Sequence, residues 1–298
     1  MRVFVTGATG YIGTAVVRDL LENGHDVLGL ARSDSAAAAL AAAGAAAHRG
    51  ALTDPDSLRA GARAADGAIH LAFQHDFADY AGAGGVDLRA VAALGDALEH
   101  SGRPLVVTSG TAVLTQGRLG TEEDPADPTS PGVARIASDD ATVALAARGV
   151  RSAVVRLPPS VHGPGDLRGF VPALVGTARE TGFSAMIGDG AGVWPAVHRA
   201  DAARLFRLAV EKAPAGARLH GVGEQGVAFR DIAGAIGRLL DLPVRQLSPE
   251  EAAGHFGWLA GFAALDNPTS SAATRELLGW RPTGAGLLQD LEAGHYTA

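Results

Sequence analysis

Three glycines set three residues apart, Gly7, Gly10 and Gly13, separate two segments of opposite character. Before them runs Val3-Phe4-Val5, apolar and largely β-branched, which predicts a buried strand beginning almost at Met1. After them Thr14 to Leu21 carries apolar residues at Ala15, Val16, Leu20 and Leu21, which predicts a helix. A strand that turns straight into a helix leaves little room for side chains, and glycine removes that obstacle. The first N–H groups of such a helix have no partners inside it and carry the positive end of its dipole. A diphosphate can therefore sit directly on the backbone there. Strand, glycine turn and helix in this order are the context that dinucleotide binding requires.

The rest of the first half alternates in the same way. Asp26 to Ala31 reads as a second strand, and the Ala-rich segment Ser35 to Ala47 as a helix capped by Ser33 or Ser35. A third strand is expected within Ala45 to Leu52, and Asp54-Pro55-Asp56-Ser57 reads as a helix start. Strands are expected at Gly67 to Phe73, Leu105 to Ser109 and Ala153 to Leu157, with helices at Val86 to His100 and Ser138 to Arg148. Such alternation predicts an α/β fold with a doubly wound parallel sheet.

Composition narrows the function. With 298 residues the chain has room for about two domains. A net charge of −7, a pI near 5.8 and no Lys/Arg block argue against nucleic acid. The absence of cysteine excludes disulfides, thiolate metal sites and a cysteine nucleophile. His70 and His75 lack a third ligand at a metal-binding spacing. No apolar run reaches the roughly 18 residues a membrane helix needs. The first residues lack signal-peptide character, so a soluble, cytoplasmic protein is expected. Its expected partner is a small-molecule substrate, and a homodimer is left open.

Ligands of doubly wound sheets lie at the carboxyl ends of the strands. The second strand ends in Ala31-Arg32-Ser33, a cation and a hydroxyl where a ribose 2′-phosphate would lie. An NAD(H) site favours a carboxylate there, and Asp34 keeps that option present. NADP(H) is expected over NAD(H).

Several further motifs bear on identity. Thr6-Gly7-Ala8-Thr9-Gly10-Tyr11-Ile12-Gly13 resembles the TGxxGxxG fingerprint of extended short-chain dehydrogenases/reductases, the epimerase/dehydratase superfamily. Ile69-His70-Leu71-Ala72 is similar to that family's fourth strand end, and Val106 to Ser109 to its fifth strand. The segment from Val155 to Asp166, with Arg156-Leu157-Pro158 and Gly163-Pro164-Gly165, resembles the segment after its sixth strand. Val197-His198-Arg199-Ala200-Asp201 and Leu278-Gly279-Trp280-Arg281-Pro282 resemble its later signatures, the second "LGWxP". The resemblance implies a cofactor domain, 1–163 with 194–224, interleaved with a smaller substrate lobe, 164–193 with 225–298. It implies cofactor contacts at Gly7, Thr9, Gly10, Tyr11, Ile12 and Gly13, then at Arg32, Ser33 and Leu52. Leu71, Ala72, Phe73 and Thr108 would follow toward the nicotinamide, with Arg135, Pro158, Ser160 and Val161 completing the set.

The family's catalytic pair, Tyr-x-x-x-Lys, is absent. The chain has three tyrosines, Tyr11, Tyr80 and Tyr296, and its one lysine is Lys212. In the corresponding region, one alignment sets Arg135 at the tyrosine position and Asp139 at that of lysine. The other sets Pro131 and Arg135 there. An atypical member is implied, in which another group moves the proton or stabilises the developing alkoxide. The candidates are Arg135, a fixed cation but a poor proton donor, and His162, whose imidazole titrates in a useful range. Ser109 and Thr111 flank the position of the assisting hydroxyl, while His75 and Tyr80 lie on the loop after the fourth strand. Each also has an ordinary structural explanation.

In the second half, Gly169 to Arg179 and Phe229 to Leu240 read as helices, the first able to cover the pocket. Val197 to Ala213 reads as a helix that returns to the cofactor domain, and Trp194-Pro195 as a wall or lid. With no charged cluster in this lobe, a modest, largely apolar substrate is expected. The chain is thus either an NADP(H)-dependent oxidoreductase with a non-standard site or a catalytically silent cofactor-binding sensor.

Overall fold

A computed structural model describes residues 1–74 and 79–296, so His75 lies outside the described residues. Strands and helices alternate as β1 (Arg2–Thr6), α1 (Tyr11–Glu22), β2 (Asp26–Ala31), α2 (Asp34–Ala42), β3 (Ala46–Arg49), α3 (Pro55–Arg63), β4 (Gly67–His70), α4 (Tyr80–Leu98), β5 (Pro104–Gly110), α5 (Ile136–Ala144) and β6 (Arg151–Leu157). The chain continues through β7 (Ser160–His162), α6 (Phe170–Thr181), β8 (Ser184–Ile187), β9 (Val193–His198), α7 (Arg199–Lys212), β10 (Ala217–His220), β11 (Glu224–Ala228), α8 (Phe229–Leu240) and β12 (Val244–Leu247).

Seven strands form one parallel sheet in the order β10-β6-β5-β4-β1-β2-β3. This is the doubly wound α/β architecture expected from the alternation. Successive residues of β1 feed opposite faces: Val3 and Val5 join the core under α1 and α7, while Phe4 joins the one under α3 and α4. A third apolar cluster lies away from this sheet, where α6, α8 and residues 252–296 gather around β8 and β9. Two small sheets, β11-β9-β7 and β12-β8, frame it.

Local chemistry sets the boundaries. Asp54 caps α3 by accepting from the Asp56 and Ser57 N–H groups, with Pro55 as first helical residue. Ser33 caps α2, and that helix ends at Ala42 rather than Ala47 because Gly44 turns the chain at φ +85°. The alanines favour helix, but Ala46 to Arg49 lie beside β2 and add a strand. Helix α4 begins at Tyr80, six residues before the expected Val86, with Asp79 accepting from the Gly82 N–H. Gly82, Gly84 and Gly85 lower its helix propensity, and tertiary packing overrides them. Alternation of β-branched residues does not reach the short strands β8 and β12, which were not expected from the sequence.

Trp194 is no lid: it is fully buried in β9, with its indole N–H on the Phe262 carbonyl. Trp280 is also fully buried, and its indole N–H donates to the Asp201 carbonyl at 3.0 Å. The Asp201 carboxylate in turn accepts from the Thr283 and Gly284 N–H groups. Through this knot the segment after residue 278 is fastened to α7, hence to the large sheet. Trp280→Ala should cost about 3–5 kcal/mol in a denaturant titration. Trp280→Phe should lose less, since most of the buried ring surface stays.

Candidate functional site

The glycine turn is built by close approach. Gly7 has φ +68°, and a Cβ on it would lie 2.8 Å from the Ala72 backbone nitrogen. A Cβ on Gly13 would lie 2.0 Å from the Gly7 carbonyl oxygen, so α1 packs on the turn only because Gly13 has none. Gly10 precedes α1 without a side-chain cap, and the first turn carries no acid. Thr9 and Gly10, just before these first N–H groups, are both exposed, and an uncapped helix start of this kind suits a diphosphate. Ile12 packs into the core. The Tyr11 hydroxyl donates to the Gly163 carbonyl at 3.0 Å, and the Arg199 guanidinium covers its ring.

At the end of β2, Arg32 is exposed and forms no ion pair among the described residues. The Ser33 hydroxyl is committed to the cap of α2. The Asp34 carboxylate, the acid a ribose would use, is bound by Arg49 from the end of β3. Leu52 packs partly buried on the core beneath α3.

The ends of β4 and β5 hold a buried polar chain. His70 Nδ1 meets the Thr6 hydroxyl at 2.7 Å and its Nε2 meets Asp87 at 3.2 Å. Thr6 accepts from the Ala72 N–H at 3.2 Å, its carbonyl accepts from Leu71, and the Thr108 hydroxyl donates to the His70 carbonyl. The Arg135 guanidinium donates to the Thr108 carbonyl and lies 4.1 Å over the Phe73 ring. Its Nη1 is 3.9 Å from Asp87, which is 1% exposed. Burial opposes ionisation of Asp87, but the His70 hydrogen bond and the Arg135 charge outweigh it and hold the carboxyl below its usual range.

Two glycines seat Arg135. A Cβ on Gly84 of α4 would lie 2.3 Å from the Ala134 carbonyl oxygen, and one on Gly132 would lie 2.7 Å from the Ala112 backbone carbon. The 133–135 turn is therefore wedged between α4 and the chain just past β5. Asp139 points elsewhere: fully buried, it holds Arg156 through two bonds of 2.9 and 3.0 Å. Both alignments open in the sequence contain Arg135, and the fold brings that cation to the strand ends.

The other candidates separate. Ser109 is buried at the end of β5, its hydroxyl without a hydrogen-bond partner among the described residues. Thr111 is bound in a buried reciprocal pair: its hydroxyl donates to Asn267 Oδ1 at 2.7 Å, and Asn267 Nδ2 returns a bond to its carbonyl. Asn267 was not legible, because 156 residues separate it from Thr111. His162, on β7, has Nδ1 at 2.5 Å from Asp290, Nε2 at 3.8 Å from Glu224, and its ring against His198. None of these partners belongs to β4, β5 or the Arg135 turn. Pro158 and Ser160 are buried and Val161 packs into the first core, all between β6 and β9. The Gly163 N–H donates to the Tyr296 hydroxyl, so both Tyr11 and Tyr296 meet at one residue.

Comparison with known proteins agrees with this fold. The family model "NAD dependent epimerase/dehydratase family" matches residues 3–220. An uncharacterized protein of Schizosaccharomyces pombe is 49% identical over 99% of this chain and 100% of its own. A 2-alkyl-3-oxoalkanoate reductase of Stenotrophomonas maltophilia is 32% identical over 74% of this chain and 68% of its own. The crystal structure of a dTDP-glucose 4,6-dehydratase from Streptomyces venezuelae with NAD bound superposes at a TM-score of 0.79. It is 23% identical and covers 98% of this chain and 96% of that one, a likeness of fold.

The His162 pair makes stability depend on pH. Burial lowers its pKa and only partly yields to the Asp290 hydrogen bond, so the folded state favours neutral imidazole. That contribution is complete above the unfolded pKa of about 6.5 and is lost as pH falls toward the lower folded value. The melting midpoint of the wild-type protein should therefore drop between pH 7 and 5 by more than that of His162→Gln.

Proposed function

Because the chain belongs to the NAD dependent epimerase/dehydratase family, we propose that it is an NADP(H)-dependent oxidoreductase with a non-standard active site. It acts on the carbonyl/alcohol pair or a polarised double bond of a small, mainly apolar substrate. The observation that carries this reading is the Arg135 guanidinium held at the ends of β4 and β5, on the same carboxyl edge of the sheet as the glycine turn. A carbonyl substrate with alkyl groups is supported by the relative named for reducing a 3-oxoalkanoate. The half-exposed Trp258, tilted against Phe170 and edge-on to Phe262, offers such groups an apolar wall.

The cofactor, when bound, supplies or takes up hydride. Gly7, Gly10 and Gly13 give its diphosphate the backbone, and Thr9, Tyr11 and Ile12 border that cradle. Arg32 takes the 2′-phosphate; its freedom from ion pairs among the described residues and the Arg49–Asp34 pair both support NADP(H) over NAD(H). Arg135 holds the ribose and steadies negative charge on the substrate oxygen, and the Ser109 hydroxyl bonds that oxygen. His162 and Thr111 hold structure through Asp290 and Asn267 rather than touching substrate. Residues 1–163 with 194–224 form the cofactor domain, and 164–193 with 225–298 the substrate lobe.

Calorimetric titration should show NADPH bound at least about tenfold more tightly than NADH, with Arg32→Ala removing most of that preference. On a panel of alkyl ketones and 3-oxo acids, Arg135→Ala should lower turnover about 10²–10³-fold. Binding of none of the four nicotinamide nucleotides would refute the assignment. Tight binding with no turnover on any carbonyl would instead indicate a cofactor-reading sensor.

A further inference from the structure

A reductase of this kind needs a proton donor, and neither Pro131 nor Arg135 serves as one. The chain's tyrosines divide sharply. Tyr11 and Tyr296 are both tied to Gly163. Tyr80 is not. It opens α4 at the carboxyl end of the sheet, where ligands of this fold lie. The positions four and seven residues on, Gly84 and Asp87, share its helix face. That face is the one pressed on the Arg135 turn: at Gly84 only the missing Cβ admits the Ala134 carbonyl, and Asp87 is 3.9 Å from Arg135. The Tyr80 ring meets Phe73 edge to face at 5.9 Å, and Arg135 lies over that same Phe73 ring at 4.1 Å. Phenol and guanidinium thus flank one aromatic ring at the end of β4.

We propose that Tyr80 is the proton donor of the reaction, in a Tyr80–Arg135 pair assembled from α4 and the 133–135 turn rather than along one helix. This rests on the oxidoreductase reading above. As hydride brings two electrons to the carbonyl carbon, a C–H bond forms and the C=O π pair moves onto oxygen. The oxygen takes the proton from the Tyr80 hydroxyl, whose O–H bond breaks. The substrate leaves as the alcohol, the nicotinamide is oxidised, and the tyrosinate beside Arg135 regains a proton from water. Burial pushes the Tyr80 phenol up and the Arg135 charge pulls it back, so it stays protonated, as a donor must. Asp87, facing both groups, works against that pull.

Tyr80→Phe keeps the ring on Phe73 and removes only the hydroxyl. It should leave the NADPH Kd within about twofold and lower kcat about 10²–10⁴-fold on any carbonyl the wild type reduces. A second measurement needs no turnover: a fluorinated tyrosine at position 80, titrated by tyrosinate absorbance. Its midpoint should rise by about half a unit or more in Arg135→Met. Retained turnover in Tyr80→Phe, or a midpoint indifferent to Arg135→Met, overturns the pair while leaving the oxidoreductase reading intact. A wild-type protein that reduces no carbonyl overturns both.

Discussion

The approach of α1 to the first turn is the constraint on which the rest of the structure depends. A single missing methyl at Gly13 lets the helix lie on the Gly7 carbonyl, and a single missing methyl at Gly7 lets that turn lie on the backbone of Ala72. These two contacts fix the first helix and the end of β4 in one rigid unit. From there the hydrogen bonds run inward, Ala72 to Thr6, Thr6 to His70, His70 to Asp87, and reach the neighbourhood of Arg135. The glycine turn and the Arg135 neighbourhood are thus two ends of one buried polar chain. A polar chain of this kind is tolerated in the core because its carboxylate is paired and its imidazole is bonded at both nitrogens.

Much of this was legible because the signals are local. The glycine spacing, the Asp54-Pro55 helix start and the β-branched strands each declare themselves within a dozen residues, and six strands of the parallel sheet follow from their alternation, all but β10. The "LGWxP" segment was legible as a signature, and its buried tryptophan proves to fasten the end of the chain to α7. What escaped was set at long range. Helix α4 carries glycines that look like a loop until the Ala134 carbonyl is seen to need one of them. Trp194 looked like a wall because bulky aromatics beside proline often are, yet a second core surrounds it.

The candidate site divides along the same line. The glycine turn and the residues at the end of β2 were readable as local structure, since each sits beside the strand that carries it. The ambiguity between two alignments at Arg135 and Asp139 could not be settled by spacing. The partners separate the two residues: Asp139 has Arg156, and Arg135 has the strand ends. His162 and Thr111 had the right chemistry for a reaction, but residues more than a hundred positions away claim them. Side-chain chemistry proposes candidates, and only tertiary hydrogen bonds decide which remain available.

The meeting of Tyr11 and Tyr296 at Gly163 bears on how the chain matures. Gly163 lies 152 positions beyond Tyr11 and is bonded in turn by Tyr296, 133 positions further on. Non-local closure of that kind is slow, because distant segments must meet before either bond can form. The neighbourhood of the glycine turn therefore takes its final form late in folding. Anything that binds only that finished arrangement draws the folded state out of the ensemble.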